Sequence, residues 1–424
     1  MDTIFALSSG PPPAGIAVVR VSGREAASAL KALAGRLPPP RRASRAVFRD
    51  AAGGVLDDGL VLWFPGPNTA TGEDLAELHL HGGRAVVAAV EAALTALSNL
   101  RRAEPGEFTR RAFANGRIDL AEAEGLADLL AAETEIQRRA AIGMAGGVLS
   151  RRVERWRERL LELSAGIEAV LDFEDEADVG ALPESFARDI PKLAEEIEAA
   201  LAAPSVEVLR EGYRVALAGP PNAGKSTLFN ALLESEAAIT APLAGTTRDV
   251  LLRPVALGGV PFTFVDMAGL REQGTDEVEA IGIERAQAEI ARADLVLWLG
   301  PEAAGPAQAW EIEPQCDRAD HPAKRSPRYR VSAVTEEGLG ELKQGLIDHA
   351  AAAIVRPGET ALNRRQRGLL AQARDALRSA AGERDPLLLA EGLRQARLAF
   401  DRLVGRSATE DVLAALFGRF CIGK

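Results

Sequence analysis

The chain has 424 residues, 47% of them apolar and 26% charged, with 50 basic against 61 acidic side chains and a formal net charge of −11. That length holds several domains, and the balance excludes a wholly disordered chain and a general coat for nucleic acid or anionic membrane. Only Cys316 and Cys421 are cysteines, which excludes a disulfide scaffold. With no signal-peptide pattern and no apolar run of about eighteen residues, a cytoplasmic protein without membrane association is expected.

Residues 1–117 read as mixed α/β. Strands are predicted at 4–7, 15–21, 61–64 and 76–81, and helices at 24–33 and 84–97. Asp57-Asp58-Gly59 reads as a turn. From Asp119 to about Ala203 the pattern becomes helical. Val153, Trp156, Leu160, Leu163, Ile167 and Val170 recur at steps of three and four, which places them on one helical face. Residues 204–212 form a polar connection. Residues 215–218, 262–265 and 295–299 are short apolar runs, as expected for central strands of a parallel sheet covered on both faces. After Pro357-Gly358 the chain returns to helix, with Leu370, Leu377, Leu389 and Leu393 among its apolar positions. Ser407-Ala408-Thr409-Glu410 has capping-box spacing at the start of the last helix. The fold class is therefore α/β plus all-α. An N-terminal α/β domain (1–117) precedes a discontinuous helical domain (118–208 and 357–424), into which a P-loop α/β domain (209–356) is inserted.

Gly219-Pro220-Pro221-Asn222-Ala223-Gly224-Lys225-Ser226 fits G-x-x-x-x-G-K-[ST] between a strand and a helix starting near Thr227. Glycines let main-chain amides turn around phosphate oxygens, and the helix N-terminus adds positive potential. Lys225 brings charge to the β/γ-phosphates and Ser226 ligates Mg²⁺. Gly245-Thr246-Thr247-Arg248-Asp249 follows, with Thr247 able to complete Mg²⁺ coordination when a γ-phosphate is bound. Asp266-Met267-Ala268-Gly269 comes at a strand end, where the Asp holds Mg²⁺ through water and the Gly amide binds γ-phosphate. The next residue, Leu270, cannot orient water. Asn222, Glu272, Asp276, Glu277 and Glu279 are the candidates for that work.

Guanine is commonly read by Asn-Lys-x-Asp, which this sequence lacks. Asp317-Arg318-Ala319-Asp320 is the nearest segment. Asp320 is the preferred guanine reader with Arg318 over the ring, and a shifted register puts Asp317 in that place. Ser332-Ala333, after a strand at 329–331, fits the loop that closes on the base. His79 and His81 share one strand face, without the Cys or carboxylate spacing of a zinc site. Arg151, Arg152, Arg155, Arg157 and Arg159, interleaved with Glu154 and Glu158, read equally as a solvated helix face or as phosphate contacts.

At these residues the chain resembles the tRNA modification GTPase MnmE (TrmE) family. The phosphate loop, the 245–249 switch and the 276–284 stretch carry the likeness. So do Thr71-Gly72-Glu73-Asp74, His81-Gly82-Gly83, Pro105-Gly106-Glu107-Phe108-Thr109 and the C-terminal Phe420-Cys421-Ile422-Gly423-Lys424. The resemblance implies a homodimer whose N-terminal domains pair and bind a tetrahydrofolate derivative (5-formyl- or methylene-tetrahydrofolate). It implies that the chain acts with FAD-containing MnmG, as a heterotetramer, on carbon 5 of the tRNA wobble uridine, by carboxymethylaminomethyl or aminomethyl addition. GTP hydrolysis is expected to need K⁺, with Asn222 as its phosphate-loop ligand. Ala241, Pro242, Leu243, Ala244, Gly245 and Thr246 form the potassium loop, with Ala241, Leu243 and Thr246 as K⁺ ligands. Glu279 is the water-orienting acid beside Lys225. Arg20, Glu77, Arg117 and Lys424 contact the folate, and Cys421 faces it. Met267 stands where the family has Thr, and Asp317-Arg318 where Asn-Lys is usual. Two alternatives stay open at this point. One is a ribosome-assembly or signalling GTPase that binds RNA without modifying it, and the other is a nucleotide-gated folate-binding scaffold.

Overall fold

A computed structural model of the chain describes residues 2–172, 184–202, 206–233, 251–266, 288–353 and 361–424. The first sheet has six strands: β1 (Thr3–Leu7), β2 (Ile16–Ser22), β3 (Ser44–Arg49), β4 (Val55–Phe64), β5 (Leu75–His81) and β6 (Leu100–Arg102), in the order β3-β4-β5-β2-β1-β6. All pairs are antiparallel except β1 with β6. Helices α1 (Ala26–Ala34) and α2 (Arg84–Thr95) supply one layer of the core. Leu30, Leu33, Val87, Val90 and Leu94 pack there with Phe5, Val19, Val21, Leu78 and Leu80. Strand alternation puts Arg20, Glu77 and His79 on the opposite face. Helices α3 (Glu107–Ala114) and α4 (Leu120–Ala131) follow, and Phe108 joins Ile4 and Ala6 in a small cluster on that second face.

Helices α5 (Glu135–Ala145), α6 (Val148–Asp172), α7 (Glu184–Leu201) and α8 (Val206–Glu211) come next. The six apolar residues predicted along α6, from Val153 to Val170, are all buried. Thr134 and Gln137 close a capping box on α5.

The second sheet holds β7 (Tyr213–Ala218), β8 (Leu251–Leu257), β9 (Val260–Asp266), β10 (Leu295–Trp298), β11 (Trp310–Glu313) and β12 (Tyr329–Arg330). Their order is β12-β11-β10-β7-β9-β8, parallel except for the β8–β9 pair. Helices α9 (Lys225–Leu233) and α10 (Leu339–Ala353) cover one face, where Val215, Leu217, Phe262 and Phe264 meet Leu228, Leu232, Leu342 and Leu346. The other face carries a smaller cluster of Ala216, Ala218, Val265 and Val296. Between β10 and β12 every residue is described and none is helical. Both connections run as turns and extended chain.

Helices α11 (Arg364–Ala381), α12 (Pro386–Leu403) and α13 (Glu410–Phe417) complete the chain. Leu370, Leu377, Leu389 and Leu393 are buried as their spacing predicts. The described chain forms two compact units. The first comprises Met1–Ala127, Leu149–Arg157 and Arg397–Lys424, and the second Asp128–Val148 and Glu158–Ala396.

Three local expectations are corrected. Asp57-Asp58-Gly59 lies inside β4 rather than in a turn. Pairing with β3 and β5 overrides the turn propensity, and a Cβ on Gly59 would meet the His79 carbonyl oxygen at 2.1 Å. The Ser407–Glu410 capping box is not formed. Thr409 is the N-cap of α13, without a side-chain cap bond. The 204–212 connection contains α8. The break at Pro357-Gly358 lies outside the described residues.

Candidate functional site

The phosphate loop leaves the carboxyl end of β7, next to Asp266 at the end of β9, Gly300 beyond β10, Pro314 beyond β11 and Ser332 beyond β12. In an open parallel sheet these carboxyl ends are where ligands bind. Asn222 adopts φ +63° and Gly224 φ +83°, left-handed conformations of the kind found in anion-binding turns. Gly224 also admits a neighbour. A Cβ there would stand 3.2 Å from Gln315 Nε2 and 3.8 Å from Pro314 Cβ. Ala223 is buried, Asn222 is exposed, and Ser226 and Thr227 are exposed in the first turn of α9, which starts at Lys225.

Lys225 is buried, and its Nζ donates to the carbonyl oxygens of Gly219 (3.0 Å) and Pro220 (2.8 Å). The ammonium thus sits inside the loop that it would serve. Its positive charge, the turned amides and a helix N-terminus make a donor set suited to a triphosphate. The exposed Ser226 hydroxyl is a hard oxygen suited to Mg²⁺.

The segment expected to face the base follows β11. Gln315 holds φ +54°, and the Cys316 N–H donates to the Val331 carbonyl at 3.2 Å, which ties this segment to β12. Arg318 chelates Asp320 through Nε (3.1 Å) and Nη2 (2.8 Å), and holds that carboxyl below its ordinary range. Asp317 is exposed and has no ion pair among the described residues. Ser332 is fully buried. Its Oγ accepts the N–H groups of Val334 and Thr335 at 3.2 and 3.1 Å, which shapes the loop holding Ala333. Burial, reinforced by Glu337, pushes the Cys316 thiol upward.

Several predicted residues lie outside the described chain. They are Ala241, Pro242, Leu243, Ala244, Gly245, Thr246, Thr247, Met267, Ala268, Gly269 and Glu279, with Glu272, Asp276 and Glu277. Asp266 is described through its backbone, opposite Leu217 of β7.

In the first unit Arg20 and Glu77 pair directly. Arg20 donates to Glu77 Oε1 from Nε (3.2 Å) and Nη2 (2.9 Å), and its guanidinium lies 5.9 Å from the Phe108 ring centre. His79 Nε2 stands 3.4 Å from Glu77 Oε2. His81 pairs with Asp57 at 2.8 Å, a hydrogen bond that raises its imidazole above the usual value. Arg117 is exposed, with its stem against Gly72. The Lys424 N–H donates to the Cys421 carbonyl at 3.2 Å. Arg117 and Lys424 make no hydrogen bond or ion pair with Arg20 or Glu77 among the described residues. The C-terminal tail docks on the same unit. Ile422 bridges Pro105, and the Ser8 hydroxyl donates to the Gly423 carbonyl at 2.9 Å. Gly423 holds φ +93°, and a Cβ there would meet the Leu7 carbonyl oxygen at 2.1 Å.

The motifs at 71–74 and 105–109 meet in a cluster centred on a residue that the sequence reading missed. Buried Arg111 binds Glu73 (3.0 Å), Glu107 (3.0 Å) and Asp2 (3.1 Å). Glu73 also accepts from Ser22 Oγ at 2.9 Å, and Ser22 is 2.7 Å from Thr71 Oγ1. Arg101 binds Glu107 at 2.6 Å. Burial works against ionisation of Glu107, but hydrogen bonds from Arg101, the Glu104 amide and Arg111 outweigh it and hold that carboxyl below its ordinary value. The i,i+4 spacing of Glu107 and Arg111 was the available sequence signal. Along α6, Arg157 pairs with Asp401 (3.0 Å) and Glu154 (3.3 Å), Arg159 pairs with Glu196 (2.8 Å), and Arg152 lies over Trp156.

The family described as MnmE helical domain matches residues 120–421, and that described as GTP-binding protein TrmE N-terminus matches residues 3–117. The chain is 60% identical over 424 residues to the tRNA modification GTPase MnmE of Erythrobacter litoralis, covering 100% of both chains. It is 61% identical over 435 residues to the protein of that name from Novosphingobium aromaticivorans, again covering 100% of each. A solved G domain of the T. maritima FeoB iron transporter is 26% identical, over 32% of this chain and 98% of that one, with a TM-score of 0.23. Among the described residues no helix is long and apolar enough to cross a membrane. Full-length identity at this level, with both family matches, makes the chain a member of the MnmE family of tRNA modification GTPases.

Proposed function

We propose that this protein is a K⁺-dependent GTP hydrolase of the cytoplasm. With FAD-containing MnmG it modifies carbon 5 of the wobble uridine of tRNA, using a tetrahydrofolate derivative as one-carbon donor. The observation that carries this reading is the phosphate loop, with Lys225 buried inside it, in a chain that belongs to this family from end to end. Lys225 Nζ, now on the Gly219 and Pro220 carbonyls, makes charge-assisted bonds to β/γ-phosphate oxygens. Ser226 and Thr247 hold Mg²⁺, with Asp266 acting through water. Asn222, Ala241, Leu243 and Thr246 hold K⁺. When bound, the two ions offset the charge that develops on the phosphates. Ala223, Gly224 and Thr227 line the phosphates with Met267, Ala268 and Gly269. Glu279 orients the attacking water in place of the absent Gln.

For the base, Asp317 and Asp320 compete as guanine acceptors beside Ser332-Ala333. Asp320 must release Arg318 to serve, whereas Asp317 is spared that cost. Arg20, Glu77, Arg117 and Lys424 serve the folate. The Arg20–Glu77 pair is half-buried on the face away from α1 and α2, and the docked tail brings Lys424 to the same unit. The N-terminal domains form the homodimer, and MnmG completes a heterotetramer.

The test is deletion of the gene, followed by mass spectrometry of tRNA nucleosides. The modified wobble uridine is expected to disappear, to return with the wild-type gene, and to stay absent with Lys225→Ala. An unchanged nucleoside profile after deletion contradicts the reading.

A further inference from the structure

The two connections around β11 run without a helix, yet they position the segment proposed to read the base. Their polar groups are stitched together. Glu313, the last residue of β11, is buried, and its Oε2 accepts the Lys324 N–H at 3.0 Å. That bond closes residues 313–324 into a loop whose tip is Asp317–Asp320. Glu313 Oε1 accepts from Arg330 of β12 at 2.9 Å. The Lys324 ammonium is only 6% exposed. It donates to the Trp298 carbonyl at the end of β10 (2.9 Å) and pairs with Glu311. Glu302, in the other connection, accepts the N–H groups of Arg325 and Ser326, both at 2.8 Å. Within this loop Gln315 holds φ +54° and leans on Gly224 of the phosphate loop. A non-glycine residue persists in that conformation where its surroundings over-determine it.

We propose that Glu313 and Lys324 form a clamp that sets the base-reading segment against the phosphate loop, and that Lys324 is thereby a specificity-positioning residue. This rests on the assignment of residues 317–320 to the base. The clamp touches neither phosphate nor the attacking water. Its loss therefore loosens the bond pattern to guanine and leaves turnover of the bound nucleotide alone.

The experiment measures GTP and inosine triphosphate affinities and steady-state turnover on the full chain. Inosine lacks the exocyclic amine, so the affinity ratio reports the acidic acceptor. Lys324→Met and Glu313→Leu are expected to raise the KM for GTP and to lower the ratio about tenfold. Turnover at saturating GTP is expected to stay within about twofold. Glu313→Gln, whose carbonyl still accepts the Lys324 N–H, is expected to keep the wild-type ratio. Leu346→Ala, a core truncation remote from the clamp, is expected to lower the melting temperature and leave the ratio unchanged. An unchanged ratio in both Lys324→Met and Glu313→Leu overturns the clamp, as does an equal fall in Leu346→Ala. If either Asp317→Asn or Asp320→Asn lowers the ratio while the clamp variants do not, only the clamp falls. If neither lowers it, the base-reading assignment falls, and the clamp with it.

Discussion

Lys225 is the side chain on which the proposed nucleotide binding turns. Its ammonium already lies within the phosphate loop on the Gly219 and Pro220 carbonyls, so little reorganisation separates it from a phosphate contact. Lys225→Ala removes the only charge the described loop offers, and calorimetry is expected to show GTP affinity falling by about a hundredfold or more. Unchanged affinity would refute the site. The acidic pair after β11 is separable by substitution. An Asp accepts two N–H protons from guanine, whereas an Asn in its place favours xanthine. The residue that reads the base is the one whose Asn variant gains xanthosine triphosphate affinity. Asp317 and Asp320 differ in one respect that bears on this, because only Asp320 is chelated by Arg318.

At the scale of elements, the cluster around Arg111 fastens three segments of the first unit. Arg111→Met leaves Glu73 and Glu107 facing each other with less counter-charge, and is expected to cost about 3–5 kcal/mol of stability by thermal or urea unfolding. Glu107 makes the same cluster sensitive to acid. Its carboxyl is held below its unfolded value. Its contribution is therefore fully present above the ordinary Glu range near pH 4.5, and is lost as pH falls through the lower, folded value. Glu107→Gln is expected to flatten the acid side of the stability profile, and an unchanged acid limb would show that the cluster is not what fails. Gly423→Ala forces a Cβ onto the Leu7 carbonyl at a left-handed position. It is expected to undock the tail, seen as faster amide exchange at Lys424.

The central strands of the second sheet and the α6 stripe were readable because their burial follows a simple period: continuous apolar runs in one case, steps of three and four in the other. The phosphate loop was readable because its chemistry is local in sequence. Asp57-Asp58-Gly59 misled because its turn propensity gave way to pairing on both sides, and Ser407 misled because the N-cap is Thr409, two residues beyond it. Glu313 and Lys324 carried no signal. Each is an ordinary charged residue until the chain folds back and buries both. Arg111 carried half a signal, its partner Glu107 being one turn away while Glu73 and Asp2 are distant in sequence.

For the whole molecule, the sheet's carboxyl edge collects the phosphate loop, Asp266 and the segment proposed to read the base from four parallel strands, while the first unit carries the Arg20–Glu77 pair and the docked C-terminus. With Leu270 where a water-orienting Gln would stand, the proposed hydrolysis would depend on charge supplied by a monovalent cation and on Glu279. Glu279→Ala is accordingly expected to lower turnover while leaving GTP affinity near wild type, and a matching loss of affinity would remove Glu279 from that role. The most direct measurement is the rate of GTP and ATP hydrolysis by the purified full chain in KCl and in NaCl at equal ionic strength. Turnover of GTP alone is expected, faster in K⁺ by about tenfold or more. Equal rates in the two salts, or equal use of ATP, would contradict it.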